Sequence, residues 1–145
     1  MKPSFAAAIL FLALALFSPP HARAADPVAA YAFALRHFNP RLDAATAATL
    51  ALATIVQADR QGLDARLLVA VIAVESRWNP AARSRAGAVG LAQLMPGTAA
   101  GLGVNPADPL ENLAASARHL RALIDRFNER GPAACCVLAL AAYNA

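Results

Sequence analysis

Apolar residues recur at three- and four-residue spacing along most of the chain, and the polar residues between them are helix caps and stops rather than an alternating strand pattern. Asp26-Pro27 supplies an N-cap and a proline at the first helical position, and Val28, Tyr31, Leu35 and Phe38 follow at helical spacing before Asn39-Pro40 ends the segment. Asp43 caps a second helix running to about Gln61, with Leu50, Ile55 and Val56 on it and Gly62 as its stop. Asp64 caps a third. There Leu67, Leu68, Val71, Ile72 and Val74 are apolar nearly all round, which predicts a core helix ending in Glu75-Ser76-Arg77-Trp78 before Asn79-Pro80. From Asn79 to Asn105 the periodicity is lost, glycines mark tight turns, and short helices are expected around Leu91–Gln93 and Pro96–Ala100. Asp108-Pro109-Leu110-Glu111 reads as a capping box that opens a helix with Leu113, Ala117, Leu120, Leu123, Ile124 and Phe127 on one side. Gly131 closes it. Pro132 begins a last helix, Ala133 to about Tyr143, apolar enough to be a core element. The expectation is an all-α fold in one domain, without internal repeats.

Composition changes this picture at the N-terminus. The chain is 59% hydrophobic, but its longest apolar run, Phe5 to Phe17, is too short for a bilayer crossing of about 20 residues. Lys2 precedes the run, Ser18-Pro19-Pro20 breaks it, and Ala22-Arg23-Ala24 follows with the small residues of a cleavage site. Residues 1–24 therefore read as a secretory signal peptide and 25–145 as the mature chain, periplasmic or secreted, with no stable membrane insertion after cleavage. Losing Lys2 and Arg23 takes the net charge from +4 to +2. No Lys/Arg cluster interleaved with aromatics remains, so nucleic acid is not an expected partner.

Cys135 and Cys136 are adjacent, and neighbouring Cα atoms stand about 3.8 Å apart, closer than an ordinary disulfide bridges. A disulfide framework is excluded, and small buried helix residues fit the pair better than an intermolecular bond. No Cys/His spacing suggests a metal site, and His37 and His119 stand alone.

A lone glutamate among arginines ordinarily forms a solvated ion pair worth little. Glu75 differs in position: at the inner end of an apolar helix, beside Trp78, its carboxyl would be partly desolvated and held protonated toward neutral pH. A protonated carboxyl can donate to the leaving oxygen of a glycosidic bond, as a glycosidase general acid does.

Four segments surround that residue in order: Glu75-Ser76-Arg77-Trp78-Asn79-Pro80 continuing to Ser84, Gly87 to Thr98, Asp108-Pro109-Leu110-Glu111-Asn112, and Ala141-Ala142-Tyr143-Asn144. Together they resemble the soluble lytic transglycosylase (SLT domain) family of the lysozyme-like superfamily, over about residues 60–145. The resemblance implies a lysozyme-like helical domain acting on peptidoglycan glycan strands without metal or cofactor. It makes Glu75 the single catalytic acid and base, and places Ser84 and Gln93 at the sugar next to the scission point. Met95 and Tyr143 match positions on the cleft wall, core packing being the alternative, and Asn144 follows Tyr143 in the family's Ala-Tyr-Asn signature. Asn112 and the Asp108-Pro109 start are set aside as fold-holding, because helix capping accounts for them.

Most glycosidases use two carboxylates, and no acid lies between Glu75 and Asp108. The resemblance implies a route needing only one: attack by the muramic acid's own 6-hydroxyl, giving a 1,6-anhydro end with help from the substrate's N-acetyl group. The chain departs from the family at Ala92, where many members have Met, and it is C-terminally short, stopping at Ala145 where members continue with Gly and a further helical segment. A truncated, catalytically weak peptidoglycan-binding or scaffold protein is thus the alternative. Some small relatives open the wall for secretion or conjugation machinery, which nothing in these residues decides.

Overall fold

The computed structural model describes residues 26–143; the expected leader and Asn144 lie outside the described residues. Among the described residues six helices follow one another: α1 (Pro27–Phe38), α2 (Ala44–Arg60), α3 (Ala65–Ser76), α4 (Pro96–Leu102), α5 (Pro109–Arg126) and α6 (Pro132–Tyr143), with a 3-10 turn at Asn128–Arg130. Among the described residues there is no strand, and only isolated bridges pair Arg83 with Val89 and Val89 with Leu94. The fold is all-α, as expected.

Four aspartates start helices by accepting backbone N–H groups that the first turn leaves unpaired. Asp26 takes Val28 N at 3.0 Å, Asp43 takes Thr46 N at 2.9 Å, Asp64 takes Arg66 N at 2.8 Å, and Asp108 takes both Leu110 N and Glu111 N at 2.9 Å. The expected capping box is only half made. Glu111 reaches out of its helix to accept Asn105 N at 2.7 Å, so it ties the loop ahead of α5 to the helix instead of returning to Asp108.

α2 packs against α1, α3 and α5, and α6 lies along α5. The main core joins Leu35, Leu50, Leu68, Ile72, Trp78, Leu91 and Leu113, each at most 2% exposed. A second cluster gathers Val71, Leu120, Leu123, Ile124, Cys135 and Ala139 between α3, α5 and α6. Tyr143 packs against both clusters, at their seam.

Two helices are less buried than their composition suggested. Leu68, Val71 and Ile72 of α3 are buried, but Val74 is 79% exposed. On α6, among the described side chains, Cys135 and Ala139 are buried, while Val137 is 66% exposed. Val74 and Val137 point away from both clusters, and apolar character cannot bury a face that nothing covers. The segment Leu91–Gln93, expected to be helical, is a turn instead, and the helix after it is α4.

Candidate active site

The last turn of α3 sets the site. Glu75 is half-buried and lines a cavity of about 180 Å³ with Leu67, Val71 and Val74 of its own helix and Leu140 and Tyr143 of α6. Among the described residues it makes no hydrogen bond or ion pair, and burial raises its pKa above the ordinary 4.5. Among the described residues no second carboxylate lines the cavity.

The neighbours that desolvate Glu75 are not those its sequence position suggested. Trp78 is wholly buried in the main core, where its indole N–H donates to Val69 O at 3.3 Å, and it does not line the cavity. The backbone turns away between them. Arg77 and Trp78 both adopt left-handed conformations, with φ of 52° and 59°, which non-glycine residues adopt at a cost of about 1–3 kcal/mol each. Asn39, from the corner between α1 and α2, holds this turn by donating to Trp78 O at 3.0 Å.

Tyr143 faces Glu75 from α6. Its hydroxyl donates to Ala92 O at 3.4 Å, and its ring lies 5.4 Å from that of His119, tilted by 51°. Burial, and secondarily the negative charge of an ionised Glu75, hold the phenol well above its ordinary range, so it stays neutral and able to donate. His119 stands alone in sequence, yet it packs against this tyrosine from α5. Burial lowers its pKa, which favours the neutral imidazole.

Ser84, Gln93 and Met95 lie on the segment between α3 and α4, outside the lining of the Glu75 cavity. The exposed Ser84 accepts Ala88 N through Oγ at 3.0 Å, and Gln93 donates from Nε2 to Gly90 O at 2.9 Å. Gln93 has a φ of 49°, and Met95 is 45% exposed at the start of α4. The structure therefore brings Glu75 and Tyr143 to one cavity and leaves the other three on the segment between α3 and α4.

Asn112 holds that loop, and not through capping. Wholly buried, it accepts Ala92 N at 2.9 Å and donates to Val89 O at 2.8 Å and Pro106 O at 2.9 Å. This passes directly beneath Gly90, whose φ is 82° and where a Cβ would stand 2.5 Å from Pro106 O and collide with the Asn112 amide. Sequence spacing hid this role, since a residue four after Asp108 looks like part of the cap.

With this geometry in place, comparison with known proteins identifies the lineage. A family profile described as the Transglycosylase SLT domain matches residues 52–145. The chain belongs to this family. Similar proteins include a transglycosylase of Enterobacteria phage PRD1, 47% identical over 68 residues, which are 46% of this chain and 26% of that protein. The membrane-bound lytic murein transglycosylase F of Pseudoalteromonas translucida is 44% identical over 84 residues, 57% of this chain and 18% of that protein. The protein of the same description from Desulfosudis oleivorans is 39% identical over 89 residues, 60% of this chain and 20% of its own length. The chain thus spans about a quarter or less of these relatives. In this SLT domain protein α1 and the start of α2 precede the matched residues, so the Asn39 clamp on the turn after Glu75 comes from outside the matched segment.

Proposed function

We propose that the chain is a peptidoglycan lytic transglycosylase, cleaving the β-1,4 bond between N-acetylmuramic acid and N-acetylglucosamine with Glu75 as its single acid and base. The observation that carries this reading is one unpartnered, half-buried carboxyl, raised in pKa, in a cavity lined by no other acid. Membership of the SLT family supports it.

In the proposed reaction Glu75, protonated, gives its proton to the oxygen leaving C1 of the muramic acid. The carboxylate so formed takes the proton of that sugar's 6-hydroxyl as its oxygen bonds to C1. The glycosidic C1–O bond breaks, the C1–O6 bond forms, no water is consumed, and Glu75 ends in the state in which it began. The product carries a 1,6-anhydro end. The neutral phenol of Tyr143 offers an ionised Glu75 no compensating positive charge, which favours the protonated carboxyl before transfer. Ser84, Gln93 and Met95 would meet the sugar from the loop, and Asn144, next to Tyr143 in the chain, is proposed as a further substrate contact. The proposed setting is the periplasm or the cell exterior, the substrate the glycan strand, and service to a secretion or conjugation apparatus a specialised use of the same chemistry.

Mass spectrometry of fragments released from purified peptidoglycan tests this, with Glu75→Gln run alongside. Anhydro ends from the parent protein and a loss of at least about 100-fold in the variant are expected. Reducing ends would replace the transglycosylase reading with hydrolysis, and equal activity in the variant would remove Glu75 from the chemistry.

A further inference from the structure

On the far side of the turn that follows Glu75 lies a second cavity, of about 550 Å³, lined by Phe38, Asn39, Arg41, Ser76, Arg77 and Asn79 among others. Its chemistry is one-sided. Two arginines line it and no Asp or Glu does. Both arginines are exposed and, among the described residues, neither forms an ion pair; the ion pairs described are Arg66–Asp64 and Arg121–Asp125. The Asn39 side chain is already committed to Trp78 O and Arg41 N, and Asn79 accepts Ala81 N through its carbonyl oxygen, which leaves its amide N–H₂ as a donor. What remains available is two guanidinium groups and an amide, all donors.

The backbone shows that this arrangement is held in place. Arg77 lines the cavity from a left-handed conformation, one residue before a second left-handed residue, and such a pair persists only where its surroundings enforce it. The enforcing contact is the Asn39–Trp78 bond, from the same α1–α2 corner that carries Arg41. Unpaired guanidinium groups at a preformed hollow match planar anions, which they bind through charge-assisted, often bidentate hydrogen bonds. Ser76 and Arg77, which line this hollow, directly follow Glu75 in the chain.

We propose that the hollow between the α1–α2 corner and the turn ending α3 is a carboxylate-binding subsite, in which Arg41 and Arg77 take the peptide-stem carboxylates of the glycan strand. The identity of the strand rests on the function proposed above. The site is made jointly by Arg77, within the family-matched residues, and Arg41, before them.

Equilibrium binding to the purified protein carrying Glu75→Gln tests the subsite without turnover, using a soluble N-acetylmuramyl peptide with free carboxylates, the same peptide amidated, and inorganic phosphate. Arg41→Gln and Arg77→Gln should each weaken binding of the free-acid peptide about three- to fivefold, the scale of an exposed ion pair. Arg41→Lys and Arg77→Lys should keep most of it, and the amidated peptide should bind no better to the parent than to the Gln variants. Unchanged affinity in both Gln variants, or equal binding of the amidated peptide, would overturn the proposal. Arginine-dependent binding of phosphate without the peptide would overturn the carboxylate assignment. With Glu75 intact, Arg41→Gln should raise KM on peptidoglycan bearing its stems and leave kcat unchanged, and should not differ from the parent on strands stripped of stems. Equal losses on both substrates would overturn it as a structural effect. A parent protein that releases no fragments would sink the proposed function while leaving the binding result to decide the subsite.

Discussion

The chemistry proposed for Glu75 depends on which proton state its surroundings favour. Burial raises its pKa above 4.5, so the neutral form is the one the folded chain stabilises. A raised carboxyl contributes stability below its unfolded pKa and loses that contribution as pH rises through the folded value. Activity should follow the same group: kcat/KM falls as pH rises through the pKa of Glu75, with a midpoint above 4.5. A pH–rate profile whose basic limb lies at or below that value would contradict the assignment. Since Gln is neutral at every pH, Glu75→Gln should be at least as stable as the parent at pH 7, which chemical denaturation would check and which separates lost chemistry from lost structure. Tyr143→Phe keeps the packing at the seam of the two clusters and removes the donor to Ala92 O. It should cost about 1 kcal/mol of stability, the worth of one internal hydrogen bond, and lower kcat about three- to tenfold by loosening the cavity wall that faces Glu75.

At the scale of elements, the helix starts and the central loop are held by different means. Asp108 satisfies two N–H groups of α5, and Asp108→Ala should cost about 1 kcal/mol in urea denaturation with an unchanged slope. Asn112→Leu fills similar volume but abandons three hydrogen bonds, leaving Ala92 N and Pro106 O unpaired while Val89 O keeps Leu94 N, and should cost about 3 kcal/mol. Gly90→Ala strikes the same point from the other side, since φ of 82° and the approach of Pro106 O at 2.5 Å leave no space for a Cβ. It should destabilise by about 3 kcal/mol through strain and overpacking. If either loop variant were as stable as Asp108→Ala, the Asn112 bracket would not be what holds the loop.

For the whole molecule, the arrangement of α6 against α5 decides the fate of the cysteines. Cys135 is buried, with its thiol against Ile124 O at 3.4 Å, and Cys136 is exposed. Only one thiol per chain should react with a bulky disulfide reagent under native conditions, and both once the protein is unfolded. Two reactive thiols in the folded protein would mean that α6 is not docked as described. The same docking brings Tyr143 to Glu75, so both the second cluster and the proposed site depend on one helix contact.

Much of this architecture was legible in the chain itself. All four aspartate caps, the ends of α1 and α2 to within about a residue, and the all-α class followed from local rules, because caps and periodic apolar stripes are satisfied within a helix or between its faces; α3 stops at Ser76, short of the expected Trp78, and α5 at Arg126, well short of Gly131, where a 3-10 turn intervenes. The motif around Glu75 likewise pointed to the family before any fold was known. Tertiary structure alone decided what stands next to what. It replaced Trp78 with Tyr143, Leu140 and Val74 around Glu75, made Asn112 the bracket of a loop 20 residues away, and set His119 against Tyr143. It also joined Arg41 to Arg77 across the turn that Asn39 holds. These pairings join side chains from segments far apart in the chain, and no local spacing records which helix faces will meet when two apolar clusters close on each other.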